Sequence, residues 1–456
     1  MSKQSEDEKA ISVIETVVPI REQEDAKSDA ISTDDYYDAR VDQDVTEDSS
    51  LNEFGHGKGN ILTAYFNVVC VVAGTGTLGL PKAFAVGGWL GILTLLLAHA
   101  MAVYSGIVLI RCLYYKPGQR LHDVKGIGTA AFGRIGYLVA SVLHLLIIFG
   151  SPALYLVLAG SNMHELLTHT SAKLSQPIWT IIVGVFLLIP SLIQRTLHEV
   201  TATSAIGAVC TMIAVFVIII VAPMDLEQHP ERHPIHDAVI WTGFPTALST
   251  IAFSFGGNNT YPHVEHALRK PHQWKYAVSA GLTTCTLLYF MTAVPGYYVY
   301  GRDTQSPIYN SLPMGAGRTI ATIVMTIHVI LAIPIFTTSF SLEFEQFARV
   351  DEHRIGKLGA WFGRAVIRTI TMVILVVLAV FVPFFSDFMS LIGALGNCGL
   401  VFLLPVACYL KLTGWRNKKF YELAFCLLTA FLGIVGCIFG TIDAIKALVK
   451  DFQGQQ

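Results

Sequence analysis

Residues 60–81, NILTAYFNVVCVVAGTGTLGLP, begin like a membrane-spanning helix and then lose the features that a helix needs. Glycines at positions 74, 76 and 79 precede Pro81 within this one apolar stretch. A glycine in a helix interior costs roughly 1 kcal/mol relative to alanine, and a proline removes a backbone N–H donor. The stretch therefore predicts a helix that is interrupted within the bilayer.

The same glycines are also compatible with a nucleotide-binding loop or with close helix packing. The letters from Gly74 to Gly79 match the GxGxxG fingerprint of dinucleotide-binding folds, but that fingerprint needs a preceding strand in a βαβ unit, which a membrane span does not provide. Small residues also allow two membrane helices to pack closely. Close packing alone therefore remains the alternative for this stretch taken by itself.

A second interrupted stretch occurs at residues 253–262, FSFGGNNTYP. Two adjacent glycines, two amide side chains and a proline are poor at continuing a helix. Irregular backbone at membrane depth cannot face lipid, because its polar groups find no hydrogen-bond partners there; it must be buried in protein or line a cavity. This stretch predicts a second broken helix.

The composition places both breaks in a polytopic membrane protein. Hydrophobic residues make up 53% of the 456 residues and charged residues only 14%, against about 25% charged residues in an ordinary globular protein. About twenty apolar residues form a helix that crosses the hydrocarbon core. Eleven stretches of near or above that length lack Asp, Glu, Lys and Arg: 59–81, 83–110, 135–164, 174–194, 200–224, 238–264, 276–301, 319–342, 369–386, 388–410 and 423–442. We expect an all-α membrane protein with eleven transmembrane helices.

The two breaks occupy matching positions when the chain is divided into spans 1–5 and spans 6–10, with one span left over. Because five is an odd number, the two halves enter the membrane from opposite sides. Many secondary transporters are built from such inverted repeats, and their paired helix breaks mark a substrate site near the middle of the bilayer. Breaks in helices 1 and 6 therefore favour a binding site over close packing alone.

Two opposed helix breaks offer backbone groups that suit a free amino acid. The amino end of a half-helix presents unpaired N–H groups and a positive dipole end, and the carboxyl end presents unpaired carbonyls. We expect the N–H groups of residues 74–77 to bind the substrate carboxylate, and carbonyls near residue 73 and around residues 253–255 to bind its ammonium group. Neutral polar side chains here favour neutral amino acids as substrates. The candidate binding residues at the breaks are Ala73, Gly74, Thr75, Gly76, Thr77, Phe253, Ser254, Phe255, Gly256, Gly257 and Asn258.

These segments resemble the amino acid/auxin permease family, including fungal vacuolar-type amino acid transporters. GTGTLGLPKAF at 74–84 is similar to the signature of the family's first span, and FPTALSTIAFSFGGNNTYPHVEHAL at 244–268 is similar to that of its sixth span. The resemblance covers about residues 55–450 and implies the LeuT-type fold, with amino acid transport coupled to a proton or sodium gradient. It also places span three against the site, so Tyr155 is a further candidate to line the pocket. Shorter similarities are Ala131-Phe132-Gly133, Gly160-Ser161-Asn162, Pro295-Gly296-Tyr297, and Ile333-Pro334 with Glu343.

Proton coupling is favoured over sodium coupling by one departure from that family. Its sodium-coupled members commonly carry an asparagine four residues before the first glycine of the break, where this chain has Cys70. A thiol is a weak ligand for a hard cation that prefers oxygen. The hydroxyls of Thr337 and Thr338 in span eight keep a sodium site open as the alternative. Ionisable side chains inside a membrane are functional candidates by default, which makes Glu265 and His328 the candidate proton carriers.

The charges that remain are unevenly distributed along the chain. Residues 1–59 hold 16 acidic and 6 basic residues, a net charge of −10; the other 17 acidic and 25 basic residues give residues 60–456 a net charge of +8. With the amino terminus in the cytosol, the inner loops hold 18 Lys and Arg residues and the outer side holds 7, as the positive-inside rule requires. We expect residues 1–55 to be a disordered acidic cytosolic tail and residues 56–456 to form the transporter domain.

Two other classes of function have to be compared with transport. A protein that senses amino acids without moving them would fit the same fold and the long tail. A histidine-rich membrane enzyme would need its histidines to share a metal, but the predicted topology separates them. In that topology His229, His233 and His236 lie on the outer side of the membrane, and His263 and His266 lie on the inner side.

The expected partners are an amino acid, protons or sodium, and the lipid bilayer. We expect no enzymatic activity, no cofactor, no bound metal and no nucleic-acid partner. The outer loops at residues 165–176 and 225–238 contain no cysteine. Together with the lack of outer glycosylation sites, this slightly favours a vacuolar membrane over the plasma membrane.

Overall fold

The structure, a computed structural model, describes residue 57 and residues 59–116, 120–168, 170–171, 173–193, 201–350, 352–416 and 418–454. The predicted acidic tail, residues 1–55, lies outside the described residues. The described residues between 57 and 269 and between 273 and 454 belong to one compact unit.

The described residues are largely helical, with isolated β-bridges such as the one between Gly59 and Leu268. A π-helical segment spans Gly393–Leu403. The α-helices in chain order are α1 Ile61–Val72, α2 Gly76–Gly87, α3 Leu90–Leu113, α4 Val124–Leu167, α5 Gln176–Ile193, α6 Thr201–Gln228, α7 Phe244–Ser254, α8 Tyr261–His266, α9 Trp274–Tyr300, α10 Ala316–Phe347, α11 Glu352–Phe381, α12 Phe385–Ile392, α13 Leu404–Thr413 and α14 Phe420–Gly454.

Eight helical stretches among the described residues are long and apolar enough to cross a membrane, and the bent pair α1 and α2 makes a ninth. They confirm the prediction of an all-α polytopic membrane protein. The predicted number of eleven is not reached by this measure, because α5 is shorter and the sixth predicted span is divided into α7, of 11 residues, and α8, of 6 residues. Neither half approaches the roughly 20 residues that a crossing requires.

The outer surface of the helical unit is apolar, as a bilayer setting requires. In α5, Val185 is 61% exposed, Phe186 60% and Ile189 57%. Apolar patches of this kind would be a liability in water, but lipid tails are their natural surroundings. Residues 153–159 of α4 are buried instead, which makes α4 a central helix and α5 a peripheral one.

Two hydrophobic clusters fill the interior around the breaks. One includes Val68 of α1, Leu109 of α3 and the ring of Tyr289 in α9. The other includes Leu158 of α4 and Met325 of α10. Helix α10 packs against α4 and α6, while α7 packs against α2 and the π-helical segment. The two broken pairs therefore lie together, with α4, α9 and α10 around them.

The long helices α4 and α11 each change direction at a glycine. Gly133 has a φ of 62° and Gly356 a φ of 74°, which is the left-handed region that side chains with a Cβ atom disfavour. In α4, residues 124–132 therefore form a separate helical piece. The apolar part of the helix follows the kink, close to residue 135, where the third charge-free stretch begins.

Candidate functional site

The first break separates α1 from α2, whose directions differ by 56°. Helix α1 ends where Ala73 leaves the helical conformation. The N–H of Thr77 donates to the carbonyl of Gly74 at 3.1 Å, so this N–H is not free for a ligand. In the described part of the chain, no backbone acceptor contacts the N–H groups of Gly74, Thr75 or Gly76. The break therefore presents three of the four N–H groups that were predicted to bind a carboxylate.

The second break separates α7 from α8. The N–H of Phe255 bonds to carbonyls in the last turn of α7, and the N–H of Gly256 donates to the carbonyl of Phe253 at 3.0 Å. Helix α8 then begins at Tyr261, with Pro262 in its first turn, where the missing N–H of a proline costs nothing. The carbonyl of Phe253 is therefore occupied, and that of Phe255 has no donor among the described residues.

The two breaks touch each other, and glycine makes the contact possible. A Cβ atom added at Gly76 would lie 2.7 Å from the Cα atom of Ser254. One added at Gly257 would lie 2.9 Å from a methyl carbon of Val72. Real Cβ atoms essentially never approach other atoms this closely. These glycines therefore serve both the interruption of the helices and their close packing.

Tyr289 in α9 joins the two breaks, although no sequence pattern singled it out. Its hydroxyl lies 2.9 Å from the carbonyl oxygen of Val72, the last residue of α1. It also contacts the carbonyl oxygen of Ser254, the last residue of α7. A phenol carries one hydrogen, so the two helix ends share a single donor. In the sequence this residue resembles any tyrosine in an apolar stretch.

Helix α10 brings His328 to the first break. Its Nδ1 lies 2.9 Å from the carbonyl oxygen of Gly207 in α6, and since a carbonyl only accepts, Nδ1 carries the hydrogen of this bond. A Cβ atom added at Gly74 would lie 3.4 Å from Nε2 of the same ring. The ring of Tyr155 meets the imidazole edge to face, with centroids 6.4 Å apart, and Tyr155 also lies beside Thr75. His328 and Tyr155, both singled out from the sequence, therefore line the first break.

Several buried polar atoms near the breaks have no hydrogen-bond partner among the residues that the structure describes. They include the hydroxyls of Thr77 and Tyr261 and the side-chain oxygens of Asn258 and Asn397. Each of these residues is at most 2% exposed. An unpaired buried polar atom costs about 1–3 kcal/mol, so a polar ligand would be stabilised here. Asn397, in the π-helical segment, was not among the residues predicted from the sequence.

Glu265 lies in α8 and is fully buried. Arg120 donates to its Oε2 at 2.7 Å, and the hydroxyl of Tyr114 donates to its Oε1 at 2.5 Å. Arg120 also donates to the carbonyl of Pro262 at 2.7 Å. These bonds connect the loop after α3 to α8. Glu265 therefore belongs to an ion-pair network at the far end of the second break.

The remaining predicted coupling residues lie at different levels. Cys70 is in α1, one turn before the break, and is partly exposed. Thr337 and Thr338 are buried in α10, and the hydroxyl of Thr337 donates to the carbonyl of Ile333 at 3.1 Å. Thr337 follows His328 by nine residues, which is roughly 13 Å along the helix. The threonine hydroxyls and the imidazole therefore cannot act on one bound ion.

The histidines that suggested an enzyme are not grouped for metal binding. Within the described residues, no group of three or more His, Cys, Asp or Glu side chains could hold a metal ion. His236 instead donates from Nε2 to the carbonyls of Tyr297 and Tyr298, at 3.1 and 2.9 Å. In this structure His236 holds the linker between α6 and α7 against α9.

Comparisons with known proteins agree on the class of this chain. The sequence model of the family described as "Transmembrane amino acid transporter protein" matches residues 57–446. Amino acid transporter AVT1B of Arabidopsis thaliana is 25% identical over 451 residues, which cover 95% of this chain and 79% of that protein. AVT1I of the same plant is 27% identical over 411 residues, which cover 86% of this chain and 97% of that protein. The vesicular inhibitory amino acid transporter of Xenopus tropicalis is 25% identical over 427 residues, which cover 89% of this chain and 80% of that protein.

Two solved transporters share the LeuT-like fold. MhsT, in complex with L-phenylalanine, matches with a TM-score of 0.52 at 13% identity, covering 85% of this chain and 99% of MhsT. Mhp1, a nucleobase-cation-symport-1 family transporter with bromovinylhydantoin bound in a closed conformation, matches with a TM-score of 0.53 at 10% identity, covering 87% and 94%. At these identities the likeness concerns the fold and not the substrate.

Proposed function

This chain belongs to the transmembrane amino acid transporter family, and we propose that it moves neutral amino acids across the membrane together with protons, by alternating access. Its relatives are transporters rather than enzymes, which confirms the expectation that it is no enzyme. The observation that carries the proposal is the contact between the two helix breaks. There, the hydroxyl of Tyr289 bonds to the last carbonyl of α1 and to the last carbonyl of α7.

The first break supplies the proposed carboxylate site. The N–H groups of Gly74, Thr75 and Gly76 have no backbone acceptor among the described residues. Gly74 and Thr75 precede α2, and Gly76 is the first of its 12 residues. The amino end of a helix carries a partial positive charge. A substrate carboxylate bound there satisfies the free donors without a formal protein charge in the membrane.

Carbonyl groups of both breaks supply the proposed ammonium site. The carbonyl of Phe253 already accepts from Gly256, and that of Ser254 accepts from Tyr289. The carbonyls of Ala73 and Phe255 remain without a donor in the described part of the chain. They are the proposed ammonium ligands, and they lie one on each break, so the substrate holds the two breaks together.

The side chains at the site support neutral substrates. Thr75, Thr77, Ser254 and Asn258 are buried and uncharged. An additional charge on the substrate would therefore meet no opposite charge in a dry interior, and burying an unpaired charge is costly. Acidic and basic amino acids are disfavoured for that reason.

His328 is the proposed proton carrier. Because its Nδ1–H is held by Gly207, Nε2 is the atom that gains and loses the proton. Histidine changes charge close to physiological pH, and Nε2 faces Gly74, where the substrate carboxylate binds. A proton on Nε2 adds a positive charge beside that carboxylate. Proton and substrate therefore favour each other's binding, which is the thermodynamic requirement for symport.

Helices α1 and α8 form the proposed moving part on the cytosolic side. The N–H of Gly59, just before α1, donates to the carbonyl of Ala267 at 3.0 Å, and the N–H of Arg269 donates to the carbonyl of Gly59 at 2.8 Å. These bonds tie the two half-helices together. Opening toward the cytosol then separates Glu265 from Arg120, which makes Glu265 the second candidate for proton coupling.

We propose eleven transmembrane helices for this fold. Each broken pair, α1 with α2 and α7 with α8, counts as one span; α12, the π-helical segment and α13 form another, and α5 is a short span. Spans 1–5 and 6–10 are the inverted repeats, and α14 is the eleventh. The amino terminus and residues 1–55 are cytosolic, and residues 56–456 are the transporter domain. A vesicular relative supports an intracellular membrane such as that of the vacuole.

Uptake by the purified full-length protein in proteoliposomes tests this function. A panel of neutral, acidic and basic amino acids is offered under separately imposed proton and sodium gradients. We expect neutral amino acids to accumulate with a proton gradient and not with a sodium gradient. A response to sodium alone would favour sodium coupling instead. Saturable binding without any uptake would show a sensor and contradict transport.

The substitution His328→Asn tests the proton carrier. Asparagine keeps a donor for Gly207 but has no group that takes up a proton near neutral pH. We expect the variant to lose accumulation driven by a proton gradient while it still exchanges labelled for unlabelled substrate. The control is His164→Asn, which changes a partly exposed histidine bonded to the carbonyl of Leu174 and should accumulate normally. Normal proton-driven accumulation by His328→Asn would exclude this carrier.

A further inference from the structure

The π-helical segment Gly393–Leu403 lies against the second break. The N–H of Leu404 donates to the carbonyl of Gly399, so these bonds reach back five residues and the helix is wider than an α-helix. A Cβ atom added at Gly393 would lie 2.1 Å from the carbonyl oxygen of Ser249 in α7. Stretches of π-helix are rare and are often found at functional sites. Side chains of this segment that face the break are therefore candidates for a functional role.

Pro405 accounts for the way in which the second break is attached to this segment. A proline has no N–H, so it supplies no helical donor to the carbonyl of Leu400, five residues before it, or to that of Val401, four residues before it. The side-chain Nδ2 of Asn258 donates to the carbonyl of Leu400 at 3.2 Å. The hydroxyl of Ser105 donates to the carbonyl of Val401. The amide of Asn258 is thereby oriented, with its Nδ2 on the segment and its Oδ1 left without a partner in the described part of the chain.

Asn397 faces the same break from the centre of the segment. It is 2% exposed, and a Cβ atom added at Gly256 would lie 2.8 Å from its Oδ1 and 3.1 Å from its Nδ2. The amide therefore lies directly on the backbone of the break. Its Oδ1 has no hydrogen-bond partner among the described residues.

A second buried asparagine shows what this chain does with a structural amide. Asn162 in α4 is 1% exposed. Its Nδ2 donates to the hydroxyl of Thr326 at 3.0 Å, and its Oδ1 accepts from the hydroxyl of Tyr309 at 2.7 Å. Both ends of that amide are paired within the protein. An amide that is equally buried but incompletely paired, at the edge of the site, instead suits a ligand that supplies the missing bond.

We propose that Asn397 forms a subsite for the substrate side chain and selects neutral amino acids whose side chain can form a hydrogen bond. The inference rests on the proposed function, which assigns the substrate carboxylate to residues 74–76 and the ammonium group to the carbonyls of Ala73 and Phe255. The side chain is then the only part of the substrate left for Asn397. A hydroxyl or amide on that side chain pairs with the Asn397 amide, whichever way its oxygen and nitrogen are turned.

An apolar side chain of the same shape would leave the Asn397 amide unpaired in a buried site. The cost of one unpaired buried group corresponds to roughly a 10- to 100-fold difference in binding. Threonine and valine have the same shape and differ in one hydroxyl. They therefore form the appropriate pair of probes, and we expect the protein to bind threonine more tightly by about that factor.

Binding of threonine and of valine to the purified full-length protein in detergent tests the subsite. Asn397→Leu replaces the amide with an apolar group of similar size. We expect the preference for threonine to disappear or reverse in this variant, with valine binding retained. Equal affinity of the unaltered protein for threonine and valine would overturn the subsite. An unchanged preference in Asn397→Leu would overturn it as well.

Two further variants separate recognition from folding. Asn162→Leu makes the same chemical change at a fully paired amide, so it should lower the melting temperature and leave the threonine preference unchanged. Asn397→Ser is smaller and keeps a hydroxyl; it should retain a reduced preference for threonine even if Asn397→Leu does not fold. An Asn397→Ser preference equal to that of the unaltered protein would count against the subsite. Because the readout is binding, absent uptake would contradict the transport proposal and leave this test intact.

Discussion

Single atoms hold the candidate site together at the residue scale. One phenolic hydrogen of Tyr289 serves the carboxyl ends of both α1 and α7. At Gly76 a hydrogen in place of a Cβ atom allows α2 to approach Ser254. Changes of one functional group at these residues are therefore expected to alter transport by displacing the two breaks.

The substitution Tyr289→Phe removes only the shared hydroxyl. It leaves the carbonyls of Val72 and Ser254 without this donor, and we expect a loss of about 1–3 kcal/mol in stability together with a severalfold rise in KM. The measurements are thermal melting and uptake kinetics. Tyr309→Phe is the control, because its hydroxyl bonds to Asn162 away from the breaks; its melting temperature should fall and its KM should stay the same. A normal KM in Tyr289→Phe would contradict the assigned role.

The substitution Gly76→Ala adds one methyl group between the two breaks. Its Cβ atom would lie 2.7 Å from the Cα atom and from the Oγ of Ser254, so the helices have to separate. We expect uptake to fall at least tenfold while the protein still reaches the membrane. Gly315→Ala is the control, because no atom lies within 4 Å of the added Cβ. Unchanged uptake by Gly76→Ala would show that the breaks need not touch.

The π-helical segment is the feature that matters at the scale of elements. Its carbonyls at Leu400 and Val401 accept hydrogen bonds from side chains outside the segment, namely Asn258 of the break and Ser105 of α3. The geometry depends on Pro405, which supplies no N–H to compete for those carbonyls. The second break is therefore positioned by a proline in another span.

The substitution Pro405→Ala restores an N–H that can take one of those carbonyls from the side chains. We expect it to favour an ordinary α-helix, to release Asn258 and to weaken substrate binding severalfold without lowering the melting temperature. The measurements are substrate affinity and thermal melting of the purified protein. Pro223→Ala, which removes a proline inside α6, is the matched control and should bind substrate normally. A lower melting temperature with unaltered affinity would contradict this prediction.

At the scale of the whole molecule, the linker between α6 and α7 holds distant helices together. The carbonyl of Asp237 accepts from the N–H of Trp89 at 2.9 Å. The N–H of Asp237 donates to the hydroxyl of Tyr297 at 2.9 Å. Its carboxylate accepts two hydrogen bonds of 2.6 Å from Arg302. Asp237 thus connects the start of α3 with the end of α9.

The carboxylate of Asp237 should keep this connection at mildly acidic pH. Hydrogen bonds from Arg302 hold the pKa of Asp237 below its usual 3.8. The stabilisation is therefore complete above pH 3.8 and is lost only as the pH falls through the lower, folded value. Melting temperatures of the protein and of Asp237→Asn should differ by a constant small amount from about pH 4.5 to 7.5 and converge in stronger acid. Convergence already near neutral pH would be inconsistent with the lowered pKa.

The matched variant for this pair is Arg302→Gln. The effect of Asp237→Asn should vanish in its background, because each substitution removes the same pair of bonds. An undiminished effect of Asp237→Asn in the Arg302→Gln background would show that the carboxylate stabilises the protein through some other group.

Much of the fold could be predicted from the sequence because its determinants are local. Residues without charge mark the apolar helices, and the glycines and prolines at 74–81 and 256–262 mark the places where α1 and α7 end. The division of the sixth stretch into two short helices follows from the same glycines. The kinks at Gly133 and Gly356 could not be predicted, because each requires a positive φ that many glycines in this chain do not adopt.

The sequence by itself determined the all-α membrane class and the positions of the two breaks, since each depends on residues that are neighbours in the chain. Only the tertiary structure decided which of the predicted backbone groups remain unpaired and which side chains lie at the breaks. Tyr289, Asn397 and the orientation of His328 depend on contacts between helices far apart in sequence. Such contacts leave no local pattern, because a tyrosine, an asparagine or a histidine in an apolar stretch looks the same whether its partner is a helix end, a ligand or another side chain.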